Sequence, residues 1–112
     1  MAEGRRITWI GTVPNTLGND EFLAFNQAMT DNFGQILISF PTVQTAGAVT
    51  VASALYNRCL VQALVKVVGA PTLTMYLNIL WDGVPDMAAL KTMVKTTFGY
   101  TAERIIEDVV TL

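Results

Sequence analysis

Between Val49 and Trp81 the chain alternates between apolar and polar positions almost without a break. The odd-numbered positions carry Val49, Val51 and Leu55, then Val61, Ala63, Val65 and Val67, then Leu73, Met75, Leu77, Ile79 and Trp81, with Ser53 the polar exception. The even-numbered positions hold Thr50, Gln62, Lys66, Thr72, Thr74, Tyr76 and Asn78. Successive strand side chains point to opposite faces, so this pattern predicts a three-stranded meander with one apolar face and one polar, hydrogen-bonding face. Tyr56-Asn57-Arg58 and Gly69-Ala70-Pro71 then serve as three-residue hairpin loops. Loops of that length set even positions opposite even positions, which keeps the two faces distinct across all three strands.

A helical pattern competes over part of the same stretch. From 46 to 68, Ala52, Leu55, Tyr56, Cys59, Leu60, Ala63, Leu64 and Val67 recur at helical spacing, and Gly69 and Pro71 stand where a helix would stop. The β-branched runs VTV and LVKVV and the agreement of the two loops favour strands.

Upstream, RITWIGT at 6–12 predicts a first strand, ended by Pro14-Asn15. Over 15–34, Phe22, Phe25, Met29 and Phe33 fit a helix behind an Asn19 cap, while FLAFNQ equally fits the second strand of a hairpin. QILISF at 35–40 is strand-like and PTVQTAG at 41–47 reads as a loop.

Downstream, two helices are expected. Pro85 suits a first helical position, Asp86 favours the positive end of the helix dipole, and Leu90, Met93, Val94 and Phe98 form a stripe that ends at Gly99. A second helix over Thr101–Leu112 would start at a Thr101 cap and bury Ile105, Ile106, Val109 and Val110. The whole is an α+β pattern in a single domain spanning 1–112: an antiparallel sheet, from an N-terminal strand or hairpin plus the meander, followed by two C-terminal helices.

Composition adds a constraint on association. The 112 residues are 52% hydrophobic and 14% charged, with a mean hydropathy of +0.43, which implies burial between subunits. A net charge of −2 gives no general basic footprint for nucleic acid. Histidine is absent and Cys59 is the sole cysteine, so His-based triads, Cys-His dyads, zinc fingers and an internal disulfide are excluded. Met1–Arg6 leads into a segment too short and polar for a secretory signal, which predicts synthesis in the cytoplasm. The uncharged stretch from Asn32 to Asn57 contains Gln35, Pro41, Thr42, Gln44, Thr45 and Thr50, and Arg58 and Lys66 interrupt the apolar run that follows, so a membrane span is not favoured. The carboxylate pairs Asp82/Asp86 and Glu103/Glu107 are explained by cap and surface roles, and no phosphate-binding loop is present, so neither an enzyme nor a cofactor is expected.

The strand-turn-strand VTVASALYNRCLVQALVKVV, the strand containing Tyr76-Leu77-Asn78 and the tail DMAALKTMVKTTFGYTAERIIEDVV together resemble the coat proteins of single-stranded RNA bacteriophages, over residues 48–112. The resemblance implies C-terminal helices that pack on a partner subunit, an interlocked homodimer, and a shell enclosing RNA in a virion made in the host cytoplasm. It further implies that the polar sheet face binds an RNA hairpin through Thr50, Lys66, Tyr76 and Asn78. Those side-chain types suit RNA chemically, since Lys meets phosphate, Tyr stacks on an unpaired base, and Thr and Asn hydrogen-bond to base edges or ribose hydroxyls. Ordinary solvent-facing strand residues would look the same in sequence. The alternative, from the helical stripe, is a mainly helical membrane-associated or filament-forming subunit.

Overall fold

The computed structural model describes residues 3–14, 19–36, 42–46, 49–69 and 72–111, with the backbone alone described at 19, 42–46, 49, 50, 66–69, 72, 73 and 102. The elements run β1 (Glu3–Pro14), α1 (Asn19–Phe33), β2 (Thr42–Ala46), β3 (Val49–Leu55), β4 (Cys59–Gly69), β5 (Thr72–Asp82), α2 (Met87–Phe98) and β6 (Thr101–Thr111). The strands form one six-stranded sheet in the order β2-β3-β4-β5-β1-β6, antiparallel at every pairing. The fold is α+β, as the sequence pattern predicts. The strands of 49–69 overturn the single long helix over 46–68, and no helix among the described residues is long and apolar enough to cross a membrane.

One face of the sheet carries the core. Ile7, Trp9 and Val13 of β1, Val61, Ala63 and Val65 of β4, and Met75, Leu77, Ile79 and Trp81 of β5 are buried there, all at odd positions. Both helices cover this face. Phe22, Phe25 and Met29 from α1 and Leu90, Met93, Val94 and Phe98 from α2 complete a single cluster, with Phe98 edge-on to Phe22 and stacked on Phe25. Ala52, Ala54 and Ala63 line the space beneath the Phe22 and Phe25 rings, so small strand residues meet large helix residues. The 15–34 ambiguity thus resolves to a helix over Asn19–Phe33, whose apolar stripe faces the sheet.

β3 is the instructive departure. The loop between β3 and β4 has two residues, Asn57 and Arg58, closed by the Tyr56 N–H donating to the Cys59 carbonyl at 2.7 Å. The loop is docked: Asn57 N–H donates to the Ile36 carbonyl at 2.9 Å, and Arg58 N–H to Gln35 Oε1 at 2.8 Å. A two-residue loop pairs even positions with odd ones, as in Thr50↔Val65 and Ala52↔Ala63. Relative to the three-residue loop expected from sequence, the whole strand is turned over. Ala52 and Ala54 are buried, while Val51 and Leu55, expected in the core, are 48% and 43% exposed on the other face.

Three further expectations need correction. Thr101–Leu112 is not a second helix: residues 101–111 form β6, which pairs along β1 from Glu3↔Thr111 to Thr12↔Thr101. β1 needs hydrogen-bond partners on its side away from β5, and the β-branched Ile105, Ile106, Val109 and Val110 suit a strand there. No N-terminal hairpin forms, because β1 sits between β5 and β6 and is followed by α1. The 41–47 segment, read as a loop, contains β2, whose Thr42, Val43 and Thr45 are β-branched and pair with β3. Of QILISF, residues 37–40 lie outside the described residues.

α2 is bounded as its sequence suggests, with one adjustment: Asp86 is itself the N-cap, its carboxylate accepting from the Ala89 N–H at 3.2 Å, and Pro85 precedes it. α2 packs on this chain's own sheet and on α1. Gly99 ends it at φ 62°, ψ 37°, and a Cβ there would stand 3.2 Å from Pro14 Cδ and 3.3 Å from Cγ. Gly99→Ala should cost roughly 1–2 kcal/mol from the left-handed backbone alone, with the Pro14 contact adding to it. Thermal unfolding followed by circular dichroism should show Tm falling by about 5 °C or more. An unchanged Tm would show that neither constraint matters.

Candidate functional site

The second sheet face is left open by both helices, and the registers order it into rows that run across the strands. One row is Val51, Leu64, Tyr76 and Ile10, ending at Arg104. The adjacent row is Ser53, Gln62, Asn78 and Thr8, ending at Ile106. The next is Leu55, Leu60, Leu80 and Arg6, ending at Asp108. An aromatic and aliphatic row therefore lies beside a row of amides and hydroxyls.

Between the first two rows runs a shallow groove of about 250 Å³, lined by Thr8, Val51, Gln62, Leu64, Tyr76 and Asn78. Tyr76 is 43% exposed and Leu64 beside it 38%, so a planar ligand can reach the phenol ring from solvent. Thr8 Oγ1 donates to Asn78 Oδ1 at 3.4 Å, a long bond that engages the amide oxygen of Asn78 and not its NH₂ group. Gln62 is exposed, opposite Asn78. Two amides offer both donors and acceptors beside a stacking surface. At the β6 end, Arg6 meets Asp108 at 3.5 Å, both about half exposed.

Of the four residues singled out in the sequence, Tyr76 and Asn78 lie together on this face. Lys66 pairs with Thr74 in the even-numbered line of β4, with Gln62 and Leu64, and its side chain lies outside the described residues. Thr50 does not join them: it pairs with Val65, so the turned-over β3 sets its position on the covered face, and its side chain too lies outside the described residues. Thr8 carries no sequence signal for the site, because it arrives through the pairing of β1 with β5 across the length of the chain. Gln62 was legible in the even-numbered alternation and is the polar partner that the meander supplies to Asn78.

Cys59 is on the covered face opposite Trp81, 3% exposed, with burial pushing its thiol up to about 12, so it is protonated and shielded. Burial also raises the hydroxyls of Tyr56, which donates to Asn26 Oδ1, and Tyr100, which donates to the Met75 carbonyl at 2.8 Å. All three groups hold their protons longer folded than unfolded. Their stability contribution is complete below the unfolded thiol value near 9 and is lost as pH rises toward 12. Urea midpoints measured from pH 8 to 11 should fall steadily above pH 9, Cys59 alone giving a slope approaching about 1.4 kcal/mol per pH unit. Cys59→Ala should flatten the first part of that decline, and an identical decline in that variant would count against a buried thiol. Among the described residues, no group of three or more Cys, Asp or Glu side chains is placed to hold a metal ion.

No protein-family model matches the chain, and no curated protein sequence matches it.

Proposed function

We propose that the protein is a structural coat subunit that associates with itself and presents its open sheet face to single-stranded RNA inside a virion. The observation that carries this reading is the groove in which exposed Tyr76 and Leu64 adjoin the Asn78, Gln62 and Thr8 row. A base stacks on the Tyr76 ring with Leu64 and Val51 beside it. The amides of Asn78 and Gln62 hydrogen-bond to its edge or to a ribose hydroxyl, the usual way in which unpaired RNA is read. Lys66, the one cation in the β4 sequence, meets a phosphate. Because the net charge is −2, stacking and hydrogen bonding carry more of the affinity than counterion release does.

Self-association follows from the same architecture. A 112-residue chain with hydropathy +0.43 leaves Val51, Leu55, Leu64 and Tyr76 exposed on one open sheet, more apolar surface than a small monomer usually shows. The meander and its two-faced pattern support the resemblance to RNA bacteriophage coat proteins, while the single C-terminal helix and the strand β6 differ from that architecture. Size-exclusion chromatography with negative-stain electron microscopy should show dimers or closed particles, and filter binding should retain single-stranded RNA. A monomer at micromolar concentration that retains no RNA would overturn the proposal.

A further inference from the structure

We infer that β6 is the edge through which two copies of this chain join, pairing antiparallel with itself about a two-fold axis at Ile106. This deepens the self-association of the coat reading and rests on it. β6 is an outer strand of the sheet, so the backbone N–H and C=O groups on its far side have no strand partner among the described residues. It runs for eleven residues, whereas β2 at the opposite edge has five. Long edges are normally protected by proline, a mid-strand bulge or charges, lysine above all. TAERIIEDVVT has no proline or lysine, and its one register shift lies near its start, opposite Ile10/Gly11. Its charges, Glu103, Arg104, Glu107 and Asp108, are of both signs and so can be matched by a second copy.

The charges on β6 select a register. Keeping both helix layers on the same side of a joined sheet requires odd residues to face odd and even to face even. Centring the pairing on Ile105 sets Glu103 against Glu107, and centring it on Glu107 sets that residue against itself; both are repulsive. Centring it on Ile106, the midpoint of the strand, pairs the regular part of the strand around it in phase, leaves the register shift at the Glu103 end, and sets Arg104 opposite Asp108 of the second copy, twice. Within one chain Arg104 is exposed and takes part in no salt bridge among the described residues. Asp108 retains room, since its contact with Arg6 is 3.5 Å long and the carboxylate side chain is 46% exposed. In the dimer that carboxylate lies between Arg6 of its own chain and Arg104 of the other. The joined sheet also shields part of Val109, 68% exposed at this edge.

The register is read by cross-linking the full chain in a Cys59→Ala background with diamide, which takes up the two thiol hydrogens as the disulfide forms. Ile106→Cys should give a disulfide-linked dimer. Val110→Cys should not, because its two copies would lie eight strand residues apart, about 27 Å. Arg104→Asp and Asp108→Arg should each raise the dimer dissociation constant by about tenfold or more, since each sets like charges opposite one another twice. An equimolar mixture of the two variants should restore dimers, because the mixed pair sets opposite charges at both crossings. Equal cross-linking at 106 and 110, or no rescue on mixing two folded variants, would overturn this pairing. A dimer that survives both charge changes and does not cross-link at 106 would place the interface elsewhere and leave the coat reading standing. A monomeric wild-type protein would overturn both.

Discussion

Trp9→Ala is expected to destabilise the protein by about 3–5 kcal/mol, the largest effect of any single truncation proposed for this chain. Trp9 is 1% exposed in the middle of β1, directly opposite Leu77 of β5 on one side and Ile105 of β6 on the other. Val94 of α2 lines the same space above it. Removing the indole therefore opens a cavity where two ladders and a helix meet, and the neighbouring strands are hydrogen-bonded in place and cannot collapse into it. Domains of this kind have total stabilities of only about 5–15 kcal/mol, so the loss is a large fraction of the whole. Urea unfolding followed by far-UV circular dichroism should show the midpoint falling steeply, while Val84→Ala, at a residue 63% exposed, should leave it almost unmoved. Similar midpoints for the two variants would show that the sheet is not centred on β1.

Tyr76→Ala is expected to weaken single-stranded RNA binding by roughly five- to 150-fold, the equivalent of a stacking contribution of about 1–3 kcal/mol. The phenol ring is exposed on the open face and the helices lie on the other, so the folded state should keep its unfolding midpoint within about 1 kcal/mol. Tyr76→Phe should retain most of the affinity, because the stacking surface survives without the hydroxyl. Lys66→Ala should act differently, lowering the slope of affinity against salt by about 0.7, because one phosphate per subunit is no longer neutralised. Filter binding across a salt series separates the two behaviours. Unchanged affinity in Tyr76→Ala would mean that the groove is merely wetted and that RNA, if bound, lies elsewhere.

The parts of this fold that were legible in the sequence are those in which one local rule decides. β4 and β5 are central strands with one face fully covered, so their alternation is clean, and α2 carries its own start and stop in Asp86 and Gly99. β3 was legible as a strand but not in its orientation, because that depends on whether Tyr56 belongs to the loop or to the ladder. The decision is made by Gln35 and Ile36, which dock Asn57 and Arg58 from a distant part of the chain. β6 misled for a different reason. At an edge neither face is fully covered, so Ile105/Ile106 and Val109/Val110 place apolar residues on both faces, and the doublets repeat every four residues as a helical stripe would. The site followed suit: Tyr76 and Asn78 sit on a strand whose alternation is unambiguous, Thr50 moved with β3, and Thr8 could be found only once the β1–β5 register was known.

The sheet order also fixes when the protein can fold as it is being made. β1 is translated first, yet its two neighbours are β5, which begins at Thr72, and β6, which ends at Thr111. At about 5–20 residues per second, a ribosome needs on the order of several seconds between releasing β1 and completing its partners. Until β5 emerges, Ile7 and Trp9 have no ladder to join and both edges of a β-branched segment stand open to neighbouring nascent chains or to a chaperone; the edge that β6 covers stays open longer still. β2 to β5 can form their hairpins in order as they emerge, but the sheet closes only when its first strand is captured between its last two. A ribosome that stalls within β6 would hold out a chain with most of its core assembled and the proposed joining edge still missing, so in that pairing the competence to associate arrives together with the last strand of the sheet.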